Sequence, residues 1–303
     1  MSDSGTARWE TQREHASPFW LRLLFWIALH LGRPAARLFL YPTAVYFWLR
    51  APVVTRASRD YLRRVLQREP GALDVLRHIF CFAAVSLDRI FILSGRHQDF
   101  EVAHDRPAEV SAIINRGQGC LLFVSHLGGY DSLRLMGREK FHLPLKILMD
   151  RQHGRMLMQL FDALNLSMAS LVIDSDQPGP ALALEIKQAL ESGHLVCMNA
   201  DRFRGEEKTV VVNFLGNPAR LPVSPWLLAH TLRVPVILGF GLYLGGRRYQ
   251  NRLELFAERV LIPRERREAA AQECVLQYAE RLAHHAKSAP YNWFNFYDYW
   301  LRG

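Results

Sequence analysis

Between about residue 117 and residue 257, short apolar runs alternate with stretches whose apolar positions recur at helical spacing. The runs are "CLLFVS" (120–125), "LKILM" (145–149), "SLVID" (170–174), "HLVCMN" (194–199), "TVVVNF" (209–214), "VPVILGFGLYL" (234–244) and "RLELFA" (252–257). Each is short, rich in branched residues and bounded by turn formers, so each predicts a strand. Helices are predicted between and after them at 130–140, 154–165, 179–191, 224–233 and about 263–288. Strands apolar on both faces, alternating with helices, predict an α/β fold with a largely parallel central sheet flanked by helices.

Upstream the texture is helical. "TRASRDYLRRVLQREPGALDVLRHIFCFAAVSLDRIFIL" mixes apolar and basic positions at helical spacing and breaks at Pro70-Gly71, which predicts two helices. Before it, "SPFWLRLLFWIALHLGRPAARLFLYPTAVYFWLRAP" has seven uncharged apolar residues between Arg22 and His30, and twelve between Arg37 and Arg50. Each run is shorter than the roughly 20 residues a spanning helix needs. Trp20, Trp26, Tyr41, Tyr46 and Trp48 recur beside arginines, as in a helix lying at headgroup level. The expected organisation is a polar tail and membrane-associating helical segment over 1–55, then one large domain over 56–303. The alternative is a pair of amphipathic helices packed on the protein's own core.

Composition narrows the partners. The formal charge is +9, and 33 of the 38 basic residues are arginine. Guanidinium forks suit phosphates and carboxylates, which points to an acidic membrane surface, a phosphorylated substrate, an acidic carrier protein or nucleic acid. No nucleic-acid motif accompanies the charge, so no nucleic-acid partner is expected. Cys81, Cys120, Cys197 and Cys274 are widely spaced and form no C-x-x-C, which suits free thiols in a reducing compartment.

The candidate chemistry sits where "CLLFVS" runs into "HLGGYD". In open α/β sheets ligands bind beyond the carboxyl ends of strands, and His126 lies just past such an end. Gly128 and Gly129 permit a tight turn, and their N–H groups, at a helix start, would face a developing negative charge. Asp131, five residues after His126, would fold back onto the imidazole, fixing its tautomer and leaving the other nitrogen as a base. A plain strand-to-helix corner containing a histidine is the competing reading. The chain has no G-x-S-x-G elbow and no P-loop, and "GFGLYLGG" has Leu244 where a dinucleotide fingerprint needs glycine. A histidine base without its own nucleophile suits direct transfer, in which an acceptor hydroxyl attacks a bound acyl group. His284 and His285 read as solvated positions of the last helix.

"SHLGGYD" resembles the H-x-x-x-x-[DE] (HX4D) block of lysophospholipid-type acyltransferases, especially the bacterial lipid A late-acyltransferase (lauroyl/myristoyl) branch. The likeness extends over roughly residues 20 to 300. It includes the N-terminal "RPAARLFLYPTAVYFWLRAPVVTRASRDYLRRV" and the later block "MNADRFRGEEKTVVVNFLGNPARLPVSPWLLAHTLRVPVIL". The aromatic end "YNWFNFYDYW" is most similar to a subgroup associated with aryl polyene-type pathways.

This resemblance implies an acyltransferase with His126 as general base and Asp131 as its partner. It implies that Asp201 and Arg202 hold the acceptor or its phosphate, with Phe214, Gly216 and Arg220 in the block that follows. Arg151 corresponds more loosely to a family arginine. An acyl carrier protein or acyl-CoA donor, a lipid-like acceptor and the cytoplasmic side of the inner membrane are implied, without cofactor or metal. Aspartate rather than the frequent glutamate at 131, and Asp-Arg where many members have Asp-Gln, leave the acceptor open. The rivals are a lipid A late acyltransferase proper and a non-catalytic lipid-binding protein of the same fold.

Overall fold

The structure, a computed structural model, describes residues 26–28, 30–134, 145–150 and 171–301. The helical lead-in consists of α1 (Gly32–Arg50), α2 (Pro52–Leu66) and α3 (Ala72–Leu93). A proline opens α2 at a position where its missing N–H costs nothing. The break at Pro70-Gly71 separates α2 from α3 as the sequence predicts. Position 55, where the membrane-associating segment is expected to end, lies inside α2.

The remaining elements are β1 (Glu101–Asp105), α4 (Ala108–Asn115), β2 (Cys120–Val124), β3 (Leu145–Met149) and β4 (Val172–Asp174). They continue with α5 (Gly179–Glu191), β5 (Leu195–Asn199), β6 (Thr209–Phe214) and β7 (Asn217–Pro222). The chain ends with α6 (Ser224–Leu232), β8 (Val236–Gly245), β9 (Arg248–Ala257), α7 (Arg267–Ser288) and an irregular aromatic tail. Among the described residues seven strands form one sheet in the order β1-β9-β8-β2-β5-β3-β4, parallel throughout except at the β8–β9 hairpin. β6 and β7 form a separate antiparallel hairpin, so the run at 209–214 is a strand but not of the main sheet.

β2 lies at the centre and is buried along its whole length. Leu121 and Phe123 enter the core shared with α6 and α7, whereas Cys120, Leu122 and Val124 enter the core shared with α4. That two-sided burial is why the run is apolar without alternation. The expected helix at 130–140 is replaced, over its described part, by a 3-10 turn at Tyr130–Arg134. The predicted helix at 154–165 lies outside the described residues. His285 corrects its solvated reading: it is buried, packs on Phe240, and places Nε2 2.6 Å from Glu254 Oε1.

α1 is fastened to the body through charge. Arg33 donates to both oxygens of Asp88, at 2.7 and 2.9 Å, and the Tyr249 hydroxyl donates to the same buried carboxylate. The outer side of α1 is apolar and open, with Leu38 68% and Leu49 65% exposed beside Tyr41 and Tyr46. Among the described residues no helix is long and apolar enough to cross a membrane.

Candidate active site

β2 and β5 are parallel neighbours whose register pairs Cys120 with Leu195 and Val124 with Asn199, an offset of 75 residues. Two residues beyond the paired ends, the same offset sets His126 beside Asp201. Ala200 N–H donates to the Val124 carbonyl at 3.0 Å, holding the two strand exits together. His126 Nδ1 then lies 2.9 Å from Asp201 Oδ1, and the His126 backbone N–H donates to Asp201 Oδ2 at 3.0 Å. Asp201 is fully buried, while the imidazole remains 29% exposed. Nδ1 is thereby committed to a carboxylate, and Nε2 is the nitrogen left for chemistry.

The electrostatics suit a base. Burial pushes the His126 pKa below its ordinary value, and Arg202 and Arg89 push the same way against the pull of Asp201. Burial opposes ionisation of Asp201. The neighbouring imidazole, its hydrogen bonds and Arg202 nevertheless bring the Asp201 pKa down to about 2. At neutral pH the pair is therefore a neutral imidazole on a carboxylate.

Asp131 has a different partner. Its buried carboxylate accepts a 2.5 Å hydrogen bond from Arg89 Nε on α3 and makes none with His126. The expected His126–Asp131 pair is thus corrected to His126–Asp201. A 3-10 turn and two backbone anchors aim Asp131 at α3 rather than back at the ring. Ser132 Oγ donates to the Gly129 carbonyl, and Asn251 Nδ2 donates to the Ser132 carbonyl. Asp131 still bears on the site, because it holds one of the cations that depress the His126 pKa.

The two glycines serve close approach. Gly128 has φ +71° and forms a parallel bridge to Gly241 of β8, and a Cβ there would lie 2.0 Å from the Gly241 carbonyl oxygen. Gly128 N–H donates to the Asn292 carbonyl and Gly129 N–H to the Gly241 carbonyl, both at 2.7 Å. Both amides are spent, so the expectation that they face an oxyanion is corrected as well. Arg202 Nη2 donates to the Phe294 carbonyl at 2.7 Å, while its buried Nε has no hydrogen-bond partner.

Of the remaining sequence-predicted residues, Phe214 is buried in an aromatic cluster with Trp293, Tyr299 and Trp300. Leu215 (φ +52°) and Gly216 (φ +87°) form the two-residue loop of the β6–β7 hairpin, the backbone that a type I′ turn requires. Arg220 sits within β7 opposite Val211, half-buried. Gly216 and Arg220 therefore belong to a hairpin, and neither is bonded to the His126–Asp201 pair. Arg151 lies outside the described residues.

The aromatic tail supplies what the sequence reading missed. Phe294 N–H donates to the His126 carbonyl at 2.8 Å, Trp293 Nε1 donates to Asp201 Oδ2 at 3.3 Å, and the Tyr299 hydroxyl donates to the Asp201 carbonyl at 2.9 Å. The Asn292 side chain bridges both backbone groups of Tyr243. Such tails pack on cores by default; here the tail also walls the dyad. The available signal was the density of indole and phenol donors near the end of the chain.

His78 anchors this wall, with Nε2 on the Trp293 carbonyl at 2.9 Å and Nδ1 facing Ser58 Oγ at 2.8 Å. The carbonyl only accepts, so Nε2 carries the proton and Ser58 donates to Nδ1. Burial pushes the His78 pKa down from 6.5 to about 4. Its stability contribution is complete above pH 6.5 and lost as the pH falls toward 4. Urea titrations should lose about 3 kcal/mol over that interval from this residue. A His78→Gln variant showing the same pH slope would contradict the assignment.

The model of one protein family, described as Bacterial lipid A biosynthesis acyltransferase, matches residues 102–302. That span holds His126, Asp131, Asp201, Arg202 and the aromatic tail, and begins after α3. No curated protein matches the chain significantly.

Proposed function

The chain belongs to the bacterial lipid A biosynthesis acyltransferase family and is an acyltransferase, and from that premise we propose how it works and on what. It moves a fatty or polyene acyl group from an acyl-carrier-protein or coenzyme A thioester to a hydroxyl or amine of a lipid-like acceptor. The observation that carries this reading is the His126–Asp201 pair at the carboxyl edge of the sheet, with Nδ1 bonded to a buried carboxylate.

His126 Nε2 takes the proton from the acceptor as its oxygen or nitrogen attacks the thioester carbonyl. The charge that develops on the ring is balanced by Asp201, which stays ionised. The positive charge of Arg202, near enough to lower the His126 pKa, stabilises the carbonyl oxygen as it becomes an oxyanion. Collapse of the tetrahedral adduct breaks the carbon–sulfur bond, and the departing thiolate takes the proton from the imidazolium. His126→Ala is expected to lower acceptor-dependent release of thiol by about 10²- to 10⁴-fold, the range for loss of a general base. Release at the parental rate would end the proposal.

The resemblance of the aromatic end to the aryl polyene-associated subgroup favours an acceptor other than a lipid A precursor, which is the second reading. Mass spectrometry of lipids and pigments from a deletion strain separates them, since the missing acylated species names acceptor and chain.

The protein works on the cytoplasmic face of the inner membrane in this reading, supported by the exposed apolar side of α1. It should float with vesicles containing phosphatidylglycerol, and Leu38→Glu/Leu49→Glu should stay in the soluble fraction. Flotation unaffected by those changes would place the contact elsewhere.

A further inference from the structure

The side of α2 turned away from the core carries arginines at helical spacing, Arg56, Arg59 and Arg63, with Arg64 beside them. A run of like charge on a helix is ordinarily a solvated face. These arginines instead line one wall of an open cleft of about 480 Å³. The opposite wall is Asn217 of the β6–β7 hairpin together with Asp298, Trp300 and Leu301 of the tail. The volume is that of a small-molecule site.

The charge in this cleft is unbalanced. Four arginines face two carboxylates, Asp60, which Arg64 bonds, and Asp298, which has an interaction of its own. Among the described residues Arg63 is held by Glu69 alone, on the open surface, a pair that solvent weakens and an incoming anion can replace. Arg56 uses Nε on the Pro52 carbonyl, leaving its two terminal nitrogens. Arg59 makes none of the hydrogen bonds or ion pairs found among the described residues. Arg64 is the fixed member: its guanidinium lies 4.2 Å above the Trp300 ring and donates to Asn217 Oδ1. Concentrating like charge in a concavity raises the local potential and favours an anion there.

We propose that this cleft is a binding site for a phosphate-bearing group, a phosphate ester or diphosphate, gripped by Arg56, Arg59 and Arg63 over the Arg64–Trp300 floor. Guanidinium forks and phosphate oxygens match in geometry as well as charge. The site is separate from the His126–Asp201 pair yet joined to it through packing. Trp300 contacts Trp293 with ring centres 5.7 Å apart, and Trp293 donates to Asp201. The phosphate reaches the protein either on a soluble ligand or on a lipid headgroup. The headgroup source has support in Leu49 and Val53, exposed apolar residues just ahead of the arginines.

Isothermal titration of the full chain at low salt with inorganic pyrophosphate tests the site. Saturable binding is expected, and Arg56→Ser/Arg59→Ser, both exposed positions, should weaken it by about tenfold or more. Arg264→Ser, an exposed arginine outside the cleft, and His126→Ala should bind as the parent does. Because His126→Ala keeps the anion, a failure of this site and a failure of the acyl-transfer reading register separately. Absence of saturable binding at millimolar pyrophosphate, or equal binding by the double variant, overturns the proposal. Competition then identifies the source. Displacement by coenzyme A assigns the cleft to a soluble phosphate ester, displacement by phosphatidic acid vesicles assigns it to a headgroup, and displacement by neither also overturns it.

Discussion

Asp201→Asn is expected to lower kcat by about 10³- to 10⁴-fold while leaving the fold intact, because it reverses the tautomer of the base; the same exchange behind a protease histidine costs about 10⁴. In the parent, Asp201 Oδ2 accepts from both the His126 N–H and Trp293 Nε1, and Oδ1 faces Nδ1. Asparagine has one oxygen, and those two donors claim it. Its NH₂ is then turned to Nδ1, which must accept, and the ring proton moves to Nε2. The nitrogen that should receive the acceptor's proton is then already occupied. Asp131→Asn should lose less, since it loosens Arg89 and leaves the His126–Asp201 bond in place.

The pH profile carries the same signature. The base must be neutral, and its pKa is depressed, so the acid limb of kcat/KM lies below the ordinary 6.5. Removing the Asp201 charge removes the influence that raises this pKa, while burial, Arg202 and Arg89 continue to lower it. The residual activity of Asp201→Asn should therefore persist to lower pH than that of the parent. A limb moving upward would mean that the carboxylate is not the group acting on the ring.

The second large effect is on stability. Gly128→Ala puts a methyl group 2.0 Å from the Gly241 carbonyl oxygen, in a backbone whose φ of +71° alanine resists. The left-handed backbone costs roughly 1–2 kcal/mol. The overlap cannot be relieved by a rotamer, because the opposing atom is backbone. Relief must part the corner from β8 and stretch the Gly128–Asn292 and Gly129–Gly241 hydrogen bonds, each worth about 1 kcal/mol. A total loss of about 3–4 kcal/mol is expected in urea unfolding. Gly216→Ala is the matched control: φ is also positive, at +87°, but nothing lies within 4 Å of the added Cβ, so only the backbone cost remains. Equal losses in the two variants would show that crowding at the corner does not matter.

Much of this architecture was legible because burial leaves a strong imprint on composition. β2, β5 and β8 are sandwiched between cores over most of their length, so their runs are apolar without alternation and easy to find. β1 was not found, since Glu101–Asp105 is a mostly exposed edge strand with a polar sequence. β7 was missed because Asn217–Pro222 contains two prolines, which read as turn chemistry yet fit a two-stranded hairpin. The histidine corner was legible from its place at a strand end. Nearness along the chain and family likeness both point to Asp131 as the neighbour of the ring, whereas the structure bonds Asp131 to Arg89 and the ring to Asp201. The register of two parallel strands, which periodicity does not give, joins His126 to a residue 75 positions away. The role of the aromatic tail likewise depends on where the chain returns after α7.

The central claim is that the Asp201 carboxylate sets the tautomer of His126. Nitrogen-15 spectra of the imidazoles, with the His126 signals assigned by their loss in His126→Gln, test it directly. At neutral pH the parent should carry its ring proton on Nδ1, Asp131→Asn should match it, and Asp201→Asn should carry the proton on Nε2. A parent ring protonated on Nε2, or a tautomer that changes with Asp131 and not with Asp201, would contradict the account.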